Sequence, residues 1–170
     1  MSICYVNGSY EEKSSATISI QDRGFNFSDG VYEVMSFFGN QVINFDKHVK
    51  RLTKSLDGLR IKKPLTNYKS LELILKKLIK LNKLDKGFVY LQVTRGSSSR
   101  NHLFPKLSKP NIVIFTFTAK LDKKLILSGV KVRLTDDLRW KRCDIKSISL
   151  LPNVLAVSYT HLTLPTSPKV

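Results

Sequence analysis

The spacing of leucines in the middle of the chain constrains its fold most strongly. Between Asn67 and Leu84, apolar residues recur at helical intervals with lysines between them, at Leu71, Leu75, Leu78, Leu81 and Leu84. The pattern predicts an amphipathic helix that needs an apolar partner, and Gly87 is expected to end it. A second helix is predicted to begin near Asp46, whose charge suits a helix N-terminus, and its apolar positions are Val49, Leu52 and Leu56.

Segments of β-type sequence surround these two helices. Asn7-Gly8 favours a two-residue turn, so Ile3–Val6 and Tyr10–Glu12 are predicted to form a hairpin. Further strands are expected up to about Phe38, over Gln41–Asn44, over Phe88–Arg95 and over Ile112–Thr118. The nearly continuous apolar run of the last strand predicts that it is covered on both faces.

Composition indicates an ordinary globular protein. The chain has 170 residues, of which 42% are hydrophobic and 25% charged, enough for one well-buried domain or one domain and part of a second. Cys4 and Cys143 are far apart and suggest no disulfide framework, so a reducing cytoplasm is expected. We expect no secretion signal, membrane span or metal site.

The net charge of +16 could suggest binding to nucleic acid or to an anionic membrane. The lysines, however, are spread along the whole chain and lie on helix faces such as that of Lys69, Lys76 and Lys80, without interleaved aromatic residues. No nucleic-acid-binding motif accompanies them. We therefore expect neither a nucleic-acid partner nor a membrane partner.

The segment Trp140–Leu151 carries a candidate reactive group. Lys146 lies between the apolar Ile145 and Ile148, and two further cations, Lys141 and Arg142, are close in sequence. Desolvation and like charge both favour an uncharged amine, which can form a Schiff base with a carbonyl compound. The alternative is a solvated surface charge, since the chain has 29 lysines and arginines.

The sequence Trp-x-Arg-Cys-Asp-Ile-Lys-Ser, followed by Leu-Leu, resembles the lysine segment of class IV aminotransferases. These are fold-type IV enzymes that use pyridoxal 5′-phosphate (PLP), and the resemblance is greatest to bacterial D-amino-acid aminotransferases. It implies an α+β fold with a complete N-terminal α/β domain and the start of a C-terminal domain. It also implies that Lys146 is the catalytic residue that holds PLP covalently.

Two motifs upstream agree with this resemblance. Asp-Arg-Gly-x-x-Phe-x-Asp-Gly-Val-Tyr-Glu is similar to the family's N-terminal signature and implies that Tyr32 contacts the substrate carboxylate; a core tyrosine after a glycine-rich turn is the alternative. On the second helix, Arg51 matches the arginine that holds the PLP phosphate, for which a guanidinium fork is suited. A solvated helix charge is the alternative for Arg51, and His48 is expected to be structural.

The loop Gln-Val-Thr-Arg-Gly-x-x-x-Arg-x-His resembles the D-amino-acid aminotransferase form of a substrate-binding loop. The resemblance implies that Arg100 and His102 bind the substrate α-carboxylate from across the interface of a homodimer. Ser99 departs from the family pattern, which has proline there, and this difference is expected to loosen the loop. A plain surface loop is the alternative.

The expected domain organisation has four parts: an N-terminal domain over 1–118, a connector over 119–128, the start of a C-terminal domain over 129–156 and a non-native tail over 157–170. The tail contains threonines and prolines that are expected not to extend a helix begun at Leu150. It resembles a translated sequencing adapter. The chain is thus expected to be an inactive fragment that lacks the family's later cofactor contacts.

The predicted function of the parent enzyme is transamination between D-amino acids and 2-oxo acids with PLP as cofactor. Within the family, the alternatives are an aminodeoxychorismate lyase and a branched-chain aminotransferase. From a different class, the alternative is a non-catalytic basic binding module.

Overall fold

The computed structural model describes residues 2–119, 127–129, 134, 136–137 and 140–163, with side chains up to residue 158. Contacts divide the chain into two units. The first consists of Met1–Ala119 and Asp144–Ile148, and the second of Lys120–Cys143 and Ser149–Val170. Lys146 therefore belongs to the first unit together with the N-terminal part of the chain.

Within the described residues, the first unit is built on an antiparallel sheet in the order β2-β1-β6-β5-β3-β4. Its strands are β1 (Ile3–Val6), β2 (Ser9–Glu12), β3 (Gly30–Phe38), β4 (Gln41–Val42), β5 (Lys86–Thr94) and β6 (Asn111–Phe117). The hairpin predicted around Asn7-Gly8 is confirmed, because Val6 pairs with Ser9. Asn7 and Gly8 both have positive φ, as a tight hairpin turn requires.

The helices of the first unit are α1 (Arg23–Phe27), α2 (Phe45–Leu59) and α3 (Tyr68–Leu81). The side chain of Asn67 caps α3 by accepting a hydrogen bond from the backbone N–H of Ser70 at 2.9 Å. α1 lies within the segment that was described as a glycine-rich turn. Asp22 caps this helix by accepting a hydrogen bond from the backbone N–H of Gly24 at 2.7 Å.

The apolar faces of α2 and α3 form one core with one face of the sheet. Most of the helix positions that the periodicity predicted contribute to this core, but Leu81 is 43% exposed and Leu84 lies beyond the end of α3. The sheet contributes alternate positions of β3, β5 and β6. The core includes Leu52, Leu56, Leu71, Leu75, Leu78, Val31, Met35, Val89, Leu91 and Ile114.

Two predictions within this unit are wrong. Gly87 does not end α3, which ends at Leu81; it lies in β5, where an added Cβ would stand 2.7 Å from the carbonyl oxygen of Phe117. β6 is not covered on both faces, because its buried positions alternate with partly exposed ones. The partly exposed face carries aromatic rings such as Phe115, so an apolar run in sequence does not mean two buried faces.

In the second unit, helix α4 runs over Leu151–Thr163. The expectation that no helix extends beyond Ala156 is therefore wrong. Pro152 stands in the first turn, where proline is tolerated, and the next proline, Pro165, follows the helix. Serine and threonine lower helix propensity by at most about 0.7 kcal/mol per residue, so they do not stop a helix as an interior proline does.

Candidate functional site

Residues Asp144–Ile148 lie beside the N-terminal part of β3, on the edge that β4 pairs with only at Phe37 and Phe38, and against α2. The backbone N–H of Tyr32 donates to the carbonyl oxygen of Lys146 at 3.1 Å, and that of Ile148 donates to the carbonyl of Gly30 at 3.1 Å. The backbone N–H of Lys146 donates to Oγ of Ser55 in α2, also at 3.1 Å. The backbone of Lys146 is thus fixed from both sides, by a strand and by a helix.

The side chain of Lys146 is half-buried and lies over the ring of Tyr32, with Nζ 4.1 Å from the ring centroid. The ring of Tyr32 stacks on that of Tyr90 at 5.8 Å between centroids, and Tyr90 stacks on Phe115 at 4.9 Å. An amine at the end of such an aromatic row is held in place and still reachable from solvent. This arrangement suits an amine that reacts with a planar carbonyl compound.

Arg51 is held by a carboxylate that the sequence analysis did not single out. Glu33 is 1% exposed and accepts from Nε of Arg51 at 2.7 Å and from Nη2 at 2.6 Å. Nδ1 of His48 lies 2.8 Å from the same carboxylate, consistent with the structural role expected for that residue. An acidic residue between Val31 and Met35, on a strand face that is otherwise apolar, was a signal that could have identified Glu33.

The surroundings of Arg51 favour its charged form. The hydrogen bonds that Arg51 donates to Glu33 raise the pKa of the Arg51 guanidinium above its ordinary value, and this outweighs the lowering by burial. The nearby phenol of Tyr32 contributes a smaller increase to the same pKa. Ser55, which holds the backbone of Lys146, follows Arg51 by four residues on the same face of α2. Arg51, Tyr32 and Lys146 therefore border one region.

Arg100 and His102 lie in another place, around α1. The guanidinium of Arg100 is 5.1 Å from the ring centroid of Phe27, and the ring of His102 is 5.3 Å from it. Arg23 donates to the carbonyl oxygen of Asn101 and so fixes the backbone between these two residues. Within the part of the chain that the structure describes, neither Arg100 nor His102 contacts Lys146.

A buried ionic network supports the start of this loop. The carboxylate of Asp29 accepts from Nε of Arg23 at 2.8 Å and from Nε and Nη2 of Arg95 at 2.7 and 2.9 Å. Burial alone would raise the pKa of Asp29, but the hydrogen bonds from Arg95 and Arg23 outweigh it and lower the pKa below its ordinary value of 3.8. This network is not predictable from a local pattern, because its three residues are separated along the chain.

A shallow groove of about 630 Å³ lies between the outer face of α2 and the start of α3. Its lining includes Phe45, Val49, Thr53 and Tyr68, flanked by lysines and aspartates. None of the predicted site residues lines it. Among the described residues, no group of three or more His, Cys, Asp or Glu side chains is arranged to hold a metal ion, and no helix has the length and apolarity needed to cross a bilayer.

Comparison with known proteins identifies relatives of this chain. Residues 30–161 match the family model described as amino-transferase class IV. The matched range ends five residues beyond Ala156, where the resemblance was expected to stop (161 − 156 = 5). The chain is similar to the D-alanine aminotransferase of Staphylococcus epidermidis, with 36% identity over 160 residues.

That alignment covers 94% of this chain and 56% of the relative, so the chain spans about half the length of the curated relative it matches. Among solved structures, it is similar to 4-amino-4-deoxychorismate lyase from Pseudomonas aeruginosa, with TM-score 0.69, 22% identity and coverage of 91% of this chain and 56% of that one. It is also similar to the branched-chain amino acid aminotransferase of Escherichia coli, with TM-score 0.64, 16% identity and coverage of 69% and 40%. At these identities, the two structures establish the fold.

Proposed function

The chain belongs to the class IV aminotransferases, and on that premise we propose that it supplies the lysine and the cofactor and substrate contacts of an enzyme that carries out PLP-dependent transamination between D-amino acids and 2-oxo acids. The observation that supports this most strongly is the fixed position of Lys146. Its backbone is hydrogen-bonded to both β3 and α2, and its amine lies 4.1 Å from the centroid of the Tyr32 ring. The similarity to a D-alanine aminotransferase supports the choice of D-amino acids.

The donor groups of the site suit PLP. Lys146 supplies an amine for an aldehyde, and the half-exposed guanidinium of Arg51 supplies N–H donors for a phosphate. When bound, PLP supplies the electron sink that stabilises negative charge at the substrate Cα. The protein supplies the orientation of the reacting groups.

Each residue then has a definite role in the proposal. Lys146 binds the cofactor and moves the proton at the substrate Cα, since its amine is the base fixed beside the Tyr32 ring. The hydroxyl of Tyr32 donates to the substrate carboxylate, and Arg51 binds the cofactor phosphate. Arg100 and His102 bind the α-carboxylate from the partner subunit of a homodimer. Their position around Phe27, away from the lysine of their own chain, is compatible with such a role.

The role of Lys146 is tested by joining residues 1–156 to the remaining part of the Staphylococcus epidermidis relative and measuring pyruvate formed from D-alanine and 2-oxoglutarate. We expect turnover in this chimera and a loss of at least about a thousandfold in Lys146→Ala, because among the described residues Lys146 carries the amine that lies against the Tyr32 ring. Lys141→Ala is the matched control, since it removes the same charge from the exposed end of the segment. Near-normal turnover of Lys146→Ala would exclude the assignment, and preference for L-leucine over D-alanine would favour a branched-chain aminotransferase.

The separation of cofactor and substrate contacts is tested in the same chimera. Arg51→Ala should weaken PLP retention, and Arg100→Ala should raise the KM for D-alanine by about tenfold or more while PLP retention is unchanged. Lys54→Ala, on α2 like Arg51, controls for the loss of a helix charge. Loss of PLP from Arg100→Ala with an unchanged KM would show that the two roles are reversed.

A further inference from the structure

We propose that Glu33 is a positioning residue that fixes the guanidinium of Arg51 by one edge and directs its Nη1 group towards the cofactor phosphate. This inference rests on the proposed function, because it deepens the role of Arg51 in the same site. It assigns a part in cofactor binding to a carboxylate that itself contacts neither substrate nor cofactor.

The contact between the two side chains is a bidentate ion pair. Nε of Arg51 donates to Oε1 of Glu33 at 2.7 Å, and Nη2 donates to Oε2 at 2.6 Å. His48 lies against the same carboxylate, with Nδ1 2.8 Å from Oε2. Two parallel charge-assisted hydrogen bonds fix the plane of the guanidinium as well as its distance, which a single bond does not do.

The location of Glu33 indicates a role beyond stability. It is 1% exposed and alternates along β3 with the apolar residues Val31 and Met35 on the buried face. Burying a carboxylate is unfavourable even when it is paired, and an apolar residue at such a position is often as stable or more stable. The ion pair is therefore better explained by what it does to Arg51 than by what it adds to folding.

The ion pair with Glu33 leaves one edge of the Arg51 guanidinium available to a ligand. Among the described residues, Nη1 of Arg51 donates to none, while Nε and Nη2 are occupied by Glu33. The side chain of Arg51 is 48% exposed, so the available edge is reachable by a ligand. An unrestrained arginine has many rotamers, and holding it in one of them before a ligand arrives reduces the entropy lost on binding.

The test compares two probes of Lys146 that differ in the phosphate. The 170-residue chain is incubated with PLP or with 5-deoxypyridoxal, which carries the same aldehyde and no phosphate, and bound probe is fixed by borohydride reduction and located by peptide mapping. For each variant, the phosphate preference is the half-saturating concentration of 5-deoxypyridoxal divided by that of PLP. We expect Glu33→Gln to lower this preference about tenfold, the effect of losing one charged hydrogen-bond partner, and to leave labelling by 5-deoxypyridoxal unchanged.

Two further variants and a control make the result specific. In Arg51→Lys, the phosphate preference should also be lost. Adding Glu33→Gln to Arg51→Lys should have no further effect, because the bidentate ion pair is then already absent. Glu72→Gln removes an equal charge from an exposed pair with Lys76 on α3 and should change nothing. Should Glu33→Gln not fold, Glu33→Asp keeps the charge but is too short to reach both nitrogens, and it should lower the preference about threefold.

The outcomes separate this inference from the proposed function. If Lys146 is not labelled at all, or if the unmodified chain shows no phosphate preference, the proposed function and the inference both fail. If the preference exists and depends on Arg51 but is unchanged in Glu33→Gln, only the inference fails. Equal weakening of both probes would show that Glu33 is merely structural.

Discussion

Replacing Asp29 by alanine would leave two buried guanidinium groups without their shared carboxylate. The side chains of Arg23 and Arg95 are 4% and 6% exposed, so solvent screens their charges little. Removing one partner from such a buried pair typically destabilises a protein by about 3–5 kcal/mol. Arg95 keeps its hydrogen bonds to the carbonyl oxygens of Leu59 and Arg60, so we expect the lower end, about 3 kcal/mol.

This loss would be a large fraction of a typical total stability of about 5–15 kcal/mol. Urea unfolding followed by circular dichroism measures it directly as a lower midpoint. Glu72→Ala is the control, because it breaks an exposed i,i+4 pair with Lys76 whose side chains are 42% and 40% exposed. The control should change the free energy of unfolding by no more than about 0.5 kcal/mol. Equal effects of the two substitutions would refute the argument that burial makes the Asp29 network important.

The pH dependence of stability provides a second readout of the same network. The pKa of Asp29 is lowered in the folded state, since the hydrogen bonds from Arg95 and Arg23 outweigh the effect of burial. Its contribution to stability is therefore fully present above the ordinary value of 3.8 and is lost as the pH falls through the folded-state pKa. Between pH 7 and pH 3, the unmodified chain should lose more stability than Asp29→Asn. A larger loss in Asp29→Asn would reverse the sign of the assignment.

Three other substitutions test the packing around the site and in the core. Ser55→Ala removes the acceptor for the backbone N–H of Lys146, so labelling of Lys146 by 5-deoxypyridoxal should slow and stability should fall by about 1 kcal/mol, as kinetics and urea unfolding would show. Gly87→Ala places a Cβ 2.7 Å from a carbonyl oxygen of β6 and should lower stability by about 1–3 kcal/mol in the same unfolding assay. Leu75→Ala, at a position that is 0% exposed, should lower the free energy of unfolding by about 2–5 kcal/mol, whereas Leu73→Ala, at a position that is 68% exposed, should change it by less than about 0.5 kcal/mol.

Much of the local structure follows from the sequence by itself. The Asn7-Gly8 hairpin and the two amphipathic helices depend on turn chemistry and on the periodicity of apolar residues, and both are properties of short segments. The position of Arg51 on α2 follows in the same way, because the helix could be located from its apolar face. The motif around Lys146 is also a continuous stretch, which is why the family could be inferred from it.

The tertiary structure decided the relations that join distant segments. Gly87 was predicted to end a helix, but it lies within β5. The backbone of β6 pairs with β5 and comes close to Gly87, and a local sequence pattern does not show that approach. Ser147 forms a β-bridge with Val31, more than a hundred residues away along the chain, and no local pattern encodes that pairing. Glu33 became a partner of Arg51 only when β3 packed against α2, because a carboxylate can be buried there only beside a cation. Residue types and local periodicity thus determine the elements and the place of Lys146 in the chain, whereas the packing of strand against helix determines which groups surround its amine.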